Sequence, residues 1–209
     1  MNGNYCRFIV ENYKDLRYMF LEQFPAEGRQ NGWIEVICGS MFSGKTEELI
    51  RRLKRAEFAN QEIVLFKPKV DDRYSIDKVV SHQGSDFNAI VVDDSSEILT
   101  HWKKQKVVAI DEAQFFDDGV LSVVSELAKK GVRVILAGLD MDYKGVPFGP
   151  MPQLMCLAEY VTKVHAICVS CGNLAQFSHR TVGEKEQVLV GAVEKYKPLC
   201  RSCYNKIAH

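Results

Sequence analysis

The chain predicts an α/β fold, a mainly parallel sheet flanked by helices, with a small cysteine-bearing lobe toward its end. Three observations carry that expectation. Apolar runs of strand length alternate with helical spacing from Trp33 to Ala137, and several runs are apolar on both faces, as strands covered on both sides are. A glycine-rich loop, Gly39 to Thr46, joins the first such run to the first helical stretch. Two Cys-x-x-Cys pairs share residues 164–209, after helical periodicity has faded and Gly, Pro and Cys have become dense.

In chain order, residues 1–31 stand apart as an N-terminal extension with loosely spaced aromatics, ending in the polar, breaker-rich stretch from Pro25 to Gly32. Trp33–Cys38 reads as a strand and Lys45–Asn60 as a helix. Glu62–Phe66 and Asn88–Val92 are β-branched runs of strand length, Ser95–Lys104 has helical spacing, and Lys106–Asp111 is a buried strand. Val120–Lys130 is a helix ended by Gly131, and Val132–Ala137 another buried strand. The expected division is 1–31 extension, 32–163 α/β nucleotide-binding domain and 164–209 cysteine lobe.

A length of 209 residues and a hydrophobic fraction of 46% support one core, or one plus a small appendage. The 27 basic and 27 acidic residues balance, which argues against a nucleic-acid partner. No apolar run approaches the ~20 residues that span a bilayer, and the first residues lack the apolar stretch of a signal peptide, so a cytoplasmic protein without a membrane partner is expected. Seven cysteines, four of them in Cys-x-x-Cys pairs, do not make a disulfide framework. Cys38 and Cys156 read as small buried apolar residues.

The loop Gly39-Ser40-Met41-Phe42-Ser43-Gly44-Lys45-Thr46 fits G-x-x-x-x-G-K-[ST], and strand before with helix after makes it a phosphate-binding P-loop. Successive backbone N–H groups and a helix N-terminus offer positive charge to phosphate. Lys45 would reach the outer phosphates and the Thr46 hydroxyl would hold Mg²⁺. Asp111 ends an apolar strand, where an aspartate binds Mg²⁺, and Glu112 beside it is placed to act as general base. Gln114 and Phe115 continue that loop. Cys168, Cys171, Cys200 and Cys203 read as a closed, structural four-thiolate zinc site, with His165 and His179 outside its shell. Asp71, Asp72 and Arg73 lie in a charged loop that offers either a carboxylate and a guanidinium to a phosphate site or only a solvated surface. Tyr143 and Phe148 offer rings to a flat ligand or pack within their own loop.

GSMFSGKT (Gly39–Thr46), DDRYS (Asp71–Ser75), DEAQFF (Asp111–Phe116), GLDMDYKGVPFG (Gly138–Gly149), the two cysteine pairs and EKY (Glu194–Tyr196) occur in that order. From about Gly32 to Tyr204 the chain resembles the zinc-containing, cytosolic type II thymidine kinases. The resemblance implies phosphorylation of the thymidine 5′-hydroxyl by ATP, deoxyuridine as a second substrate, feedback inhibition by dTTP and a homotetramer. It implies Glu112 as catalytic base, with Asp71 to Arg73 and Asp111 to Gln114 in the phosphate and Mg²⁺ site. It places Met41, Phe115, Leu139 and Tyr143 around the thymine. Gln187, Val188, Leu189, Val190, Gly191 and Tyr196 fall in a lasso segment that closes over the nucleoside. Ser178 stands where the family carries a threonine near the thymine methyl, and Ala192 where a second glycine is frequent. The rival reading is a P-loop ATPase whose Glu112 activates water and whose cysteine lobe is a nucleic-acid-binding ribbon.

Overall fold

In the computed structural model of the chain, residues 32–69, 78–80, 86–181 and 195–207 are described. Six strands form one sheet: β1 (Trp33–Cys38), β2 (Ile63–Pro68), β5 (Ile90–Val92), β6 (Val107–Ile110), β7 (Arg133–Gly138) and β8 (Tyr160–Lys163), in the order β5-β2-β6-β7-β1-β8. Every pairing in it is parallel. The expected Asn88–Val92 strand is divided at Ala89. Asp86–Asn88 (β4) turns back to pair antiparallel with Lys78–Val80 (β3), and only Ile90–Val92 joins the main sheet.

Alternation along the strands explains the two cores. Ile34, Val36, Phe66, Val108, Ile110, Val134 and Leu136 face one side. There they meet helices α2 (Ser96–His101), α3 (Gly119–Lys129) and α4 (Met151–Leu157) through Ile98, Val120, Val124, Leu127, Met151 and Leu154. Ile37, Leu65, Val107, Ala109, Ile135 and Ala137 face the other side, under Leu49, Ile50, Leu53 and Ala56 of α1 (Lys45–Phe58). Covered on both faces, these strands have no solvent side to make polar. Helix α1 is closed by Asn60 (φ 55°), two residues past its last turn, whose N–H donates to the Glu57 carbonyl while that of Gln61 donates to Ala56. The left-handed residue and paired bonds of this C-terminal motif stop the helix two residues before the expected Asn60.

Past Lys163 the chain leaves the sheet. Ala166–Ile167 (β9) pairs with Leu174–Ala175 (β10), and Phe177–Arg180 (β11) with Tyr196–Leu199 (β12), both antiparallel, before α5 (Arg201–Ile207). A small core of Ala166, Cys168, Ala175, Leu199 and Cys200 holds these pieces together.

Candidate active site

The carboxyl ends of β1, β6 and β7 lie side by side, which is where open parallel sheets gather ligands. After β1 comes the P-loop. Gly39 (φ 149°) has no room for a side chain, because a Cβ there would stand 2.2 Å from the Val164 carbonyl oxygen. Gly44 (φ 82°) turns the chain into α1. Lys45 Nζ donates to the Ser40 carbonyl at 2.9 Å, and Ser43 Oγ donates to the same oxygen at 2.7 Å. Thr46, half-buried, is the second residue of α1. Cys38 at the end of β1 is fully buried, and burial pushes its thiol up to about 11, so it stays protonated at neutral pH. Cys156 departs from expectation: it is exposed on α4, because its turn of that short helix faces outward.

After β6, Asp111 is buried and its Oδ1 accepts from the Glu112 N–H at 2.9 Å. Glu112 adopts the left-handed conformation, φ 50° and ψ 42°, at a cost of about 1–3 kcal/mol for a non-glycine residue. That turn opens a short 3₁₀ segment, Ala113–Phe115. Gln114 is buried within it, its Nε2 donating to Glu112 Oε2 while its Oε1 accepts from the Leu139 N–H at 2.9 Å. One amide thus links the carboxylate after β6 to the loop after β7. The spacing of DEAQ gave no sign of this second partner, which lies 25 residues on.

The loop from Leu139 to Gly149 is built on buried carboxylates. Asp142 Oδ1 accepts from the N–H groups of Lys144 and Val146, and Asp140 pairs with Lys163 at 2.6 Å. Phe148 is buried edge-on against Phe115, with ring centroids 5.5 Å apart. The P-loop also meets the cysteine lobe, since the Met41 N–H donates to Ser178 Oγ at 2.9 Å. The hydroxyl at residue 178 therefore holds P-loop backbone, which no spacing in the sequence announces. Tyr143 and Tyr196 come together around Arg180. Asp71, Asp72, Arg73, Gln187, Val188, Leu189, Val190 and Gly191 lie outside the described residues.

The Sγ atoms of Cys168, Cys171, Cys200 and Cys203 lie within 4.8 Å of one another, with Cys171 and Cys200 at 3.6 Å. A tetrahedral zinc with bonds of ~2.3 Å needs sulfurs roughly 3.8 Å apart, so the donor set and its spacing fit that ion. The N–H of Cys203 donates to Cys200 Sγ and Asn173 Nδ2 to Cys171 Sγ, each at 3.5 Å, the outer support that metal-bound thiolates use. His165 is exposed and His179 lies edge-on to Tyr204, both outside the cluster.

The thymidine kinase family profile matches residues 32–204. The chain belongs to the thymidine kinase family. It is 58% identical over 188 residues to a thymidine kinase of Bacteroides fragilis, an alignment covering 90% of this chain and 94% of that one. It is 59% identical over 186 residues to that of Bacteroides thetaiotaomicron, covering 89% and 94%. Against that of Porphyromonas gingivalis it is 53% identical over 186 residues, covering 89% and 91%. The matched span contains the P-loop, Glu112 and all four clustered cysteines, and leaves residues 1–31 outside. Among the described residues no helix is long and apolar enough to cross a membrane.

Proposed function

We infer that this chain transfers the γ-phosphoryl group of ATP to the 5′-hydroxyl of thymidine, giving dTMP and ADP, with deoxyuridine as a second substrate. The observation that carries the reading is Glu112, turned into a left-handed conformation at the same sheet edge as the P-loop, in a chain of this family. Glu112 accepts the 5′-OH proton as that oxygen attacks phosphorus and the bond to the β-phosphate oxygen breaks. Lys45, Arg73 and the N–H groups of Gly39 to Thr46 offset the charge that builds on the transferring group. Asp71, Asp72 and Gln114 complete the nucleotide site.

Thr46 and Asp111 would hold Mg²⁺, which would supply charge to neutralise the phosphates. The buried position of Asp111 at the strand end and the neighbouring P-loop suit that ion. Met41, Phe115, Leu139, Tyr143, Phe148 and Ser178 shape the thymine pocket. Residues 187–191 and Tyr196 close it and exclude water, which limits ATP hydrolysis. The four cysteines would hold a structural zinc. The active form is a cytoplasmic homotetramer inhibited by dTTP, built from an ATP domain (32–163) and a lobe (164–209).

The test is ADP release from ATP·Mg²⁺ with a nucleoside panel and a control lacking nucleoside. Turnover confined to thymidine and deoxyuridine supports the reading. ADP released at the same rate without nucleoside makes the protein an ATPase and rejects it.

A further inference from the structure

Arg180 lies outside the motifs read from the sequence. It ends β11 and lies directly opposite Tyr196 in the antiparallel ladder, so both side chains stand on one face of the small sheet. It is buried, with 6% of its surface exposed. Its Nε and Nη2 donate to the Tyr196 hydroxyl at 3.2 and 2.9 Å. Its guanidinium carbon lies 3.7 Å from the centroid of the Tyr143 ring, close face-on cation–π contact. Among the described residues, β11, β12 and the loop that follows β7 therefore meet on one planar cation. Ser178, two residues earlier on the same face of β11, receives the Met41 N–H of the P-loop. The Tyr143 end of the loop is fixed independently, because Tyr204 of α5 donates its hydroxyl to the Tyr143 carbonyl at 3.1 Å and stacks on Phe177 at 4.3 Å.

We propose that Arg180 is a positioning residue for the nucleoside: stacked on Tyr143 more closely than the Lys144 ammonium at 5.4 Å, it ties that ring to Tyr196 and so fixes the ring against which the base lies. This rests on the assignment of Tyr143 to the thymine pocket. The chemistry asks for arginine and not merely for positive charge. A flat guanidinium stacks and forks two N–H groups to one hydroxyl at once, whereas an ammonium on a flexible stem does neither. A sliding or rotating Tyr143 would cost nucleoside affinity while leaving the P-loop, on a different strand, able to bind ATP.

The experiment compares Arg180→Lys, Tyr196→Phe and Tyr143→Ala with the parent, measuring kcat and separate KM values for thymidine and ATP, with thermal melting and bound zinc on the same samples. Arg180→Lys is expected to raise the thymidine KM about tenfold, the combined worth of one cation–π contact and one hydrogen bond. The ATP KM stays within about twofold, and zinc content and melting midpoint stay with the parent. Tyr196→Phe, which removes only the accepting hydroxyl, is expected to raise the thymidine KM by roughly threefold. Combined with Arg180→Lys it adds little, since the two act on one contact. A thymidine KM unchanged in both Arg180→Lys and Tyr196→Phe overturns the proposal. Equal rises for both substrates together with a lower melting midpoint also overturn it, as the mark of a purely structural residue. Tyr143→Ala separates the role of Arg180 from that of the pocket. If it raises the thymidine KM and Arg180→Lys does not, only the role of Arg180 falls. If it leaves that KM unchanged, the pocket assignment falls and the proposal with it.

Discussion

Two groups of charge, one at each end of the same sheet, are finished in different ways. Toward the amino end of β1, Glu35 is fully buried and each of its oxygens accepts two donors. Trp33 Nε1 and Arg133 Nε reach Oε1 at 2.7 Å each, while Arg52 Nη1 and Arg133 Nη2 reach Oε2 at 2.6 and 3.3 Å. Arg52 carries the network outward to Glu48 and Thr162. At the carboxyl end, Glu112 stands on strained backbone, held by a neutral amide, and Lys45 donates to a neutral carbonyl. The first arrangement spends each charge on another charge and so locks β1, β7, β8 and α1 together. The second sets a carboxylate and a lysine at the ligand edge of the sheet, at some cost in backbone strain.

Substitutions at the two ends should therefore fail differently. Lys45→Met, which keeps the length and removes the charge, is expected to lower kcat by about 10³-fold with the melting midpoint near that of the parent. A loss of folding in that variant would mean the lysine belongs with the structural charges after all. Glu35→Ala leaves Arg52 and Arg133 buried without their carboxylate, and is expected to cost about 3–5 kcal/mol. That is a drop of roughly 10 °C in the melting midpoint, with near-normal kcat in the protein that remains folded. A chemical denaturation series with activity measured below the transition checks both halves.

Glu48, at the rim of the structural network, should show the smallest effect. Its hydrogen bond from Arg51, ahead of that from Arg52, holds its carboxyl down to about 2 against an ordinary 4.5. The stabilisation is present above pH 4.5 and fades as the pH falls toward 2. Glu48→Gln is expected to remove about 0.5–1 kcal/mol at pH 7, with the difference from the parent vanishing in acid.

The same contrast marks what could be read from the sequence. Strands β1, β6 and β7 were legible because burial on both faces makes them continuous apolar runs, and the P-loop because its spacing is set by backbone geometry. The four cysteines were legible because metal ligation ties residue type to spacing. Strand β8 was not. It is an edge strand with alternating exposure, Tyr160 and Thr162 in and Val161 and Lys163 out, and four residues of mixed polarity carry little periodicity. Glu35 read as one polar residue in a strand, because its partners Arg52 and Arg133 lie 17 and 98 residues away. Glu112 was legible as a carboxylate beside Asp111, but its left-handed backbone and its tie through Gln114 to Leu139 depend on a neighbouring strand. Contacts made by register and crossover, as at Ser178 and Arg180, leave no local pattern.

The most direct test of the central claim, that Glu112 is the base that takes the nucleoside proton, is single-turnover dTMP formation by Glu112→Gln, with ATP affinity measured on the same sample. Glutamine preserves the shape and can still meet Gln114, but cannot accept the proton. The account predicts ATP affinity within about threefold of the parent and dTMP formation slowed by ~10³-fold or more. A variant that forms dTMP at close to the parent rate would contradict it.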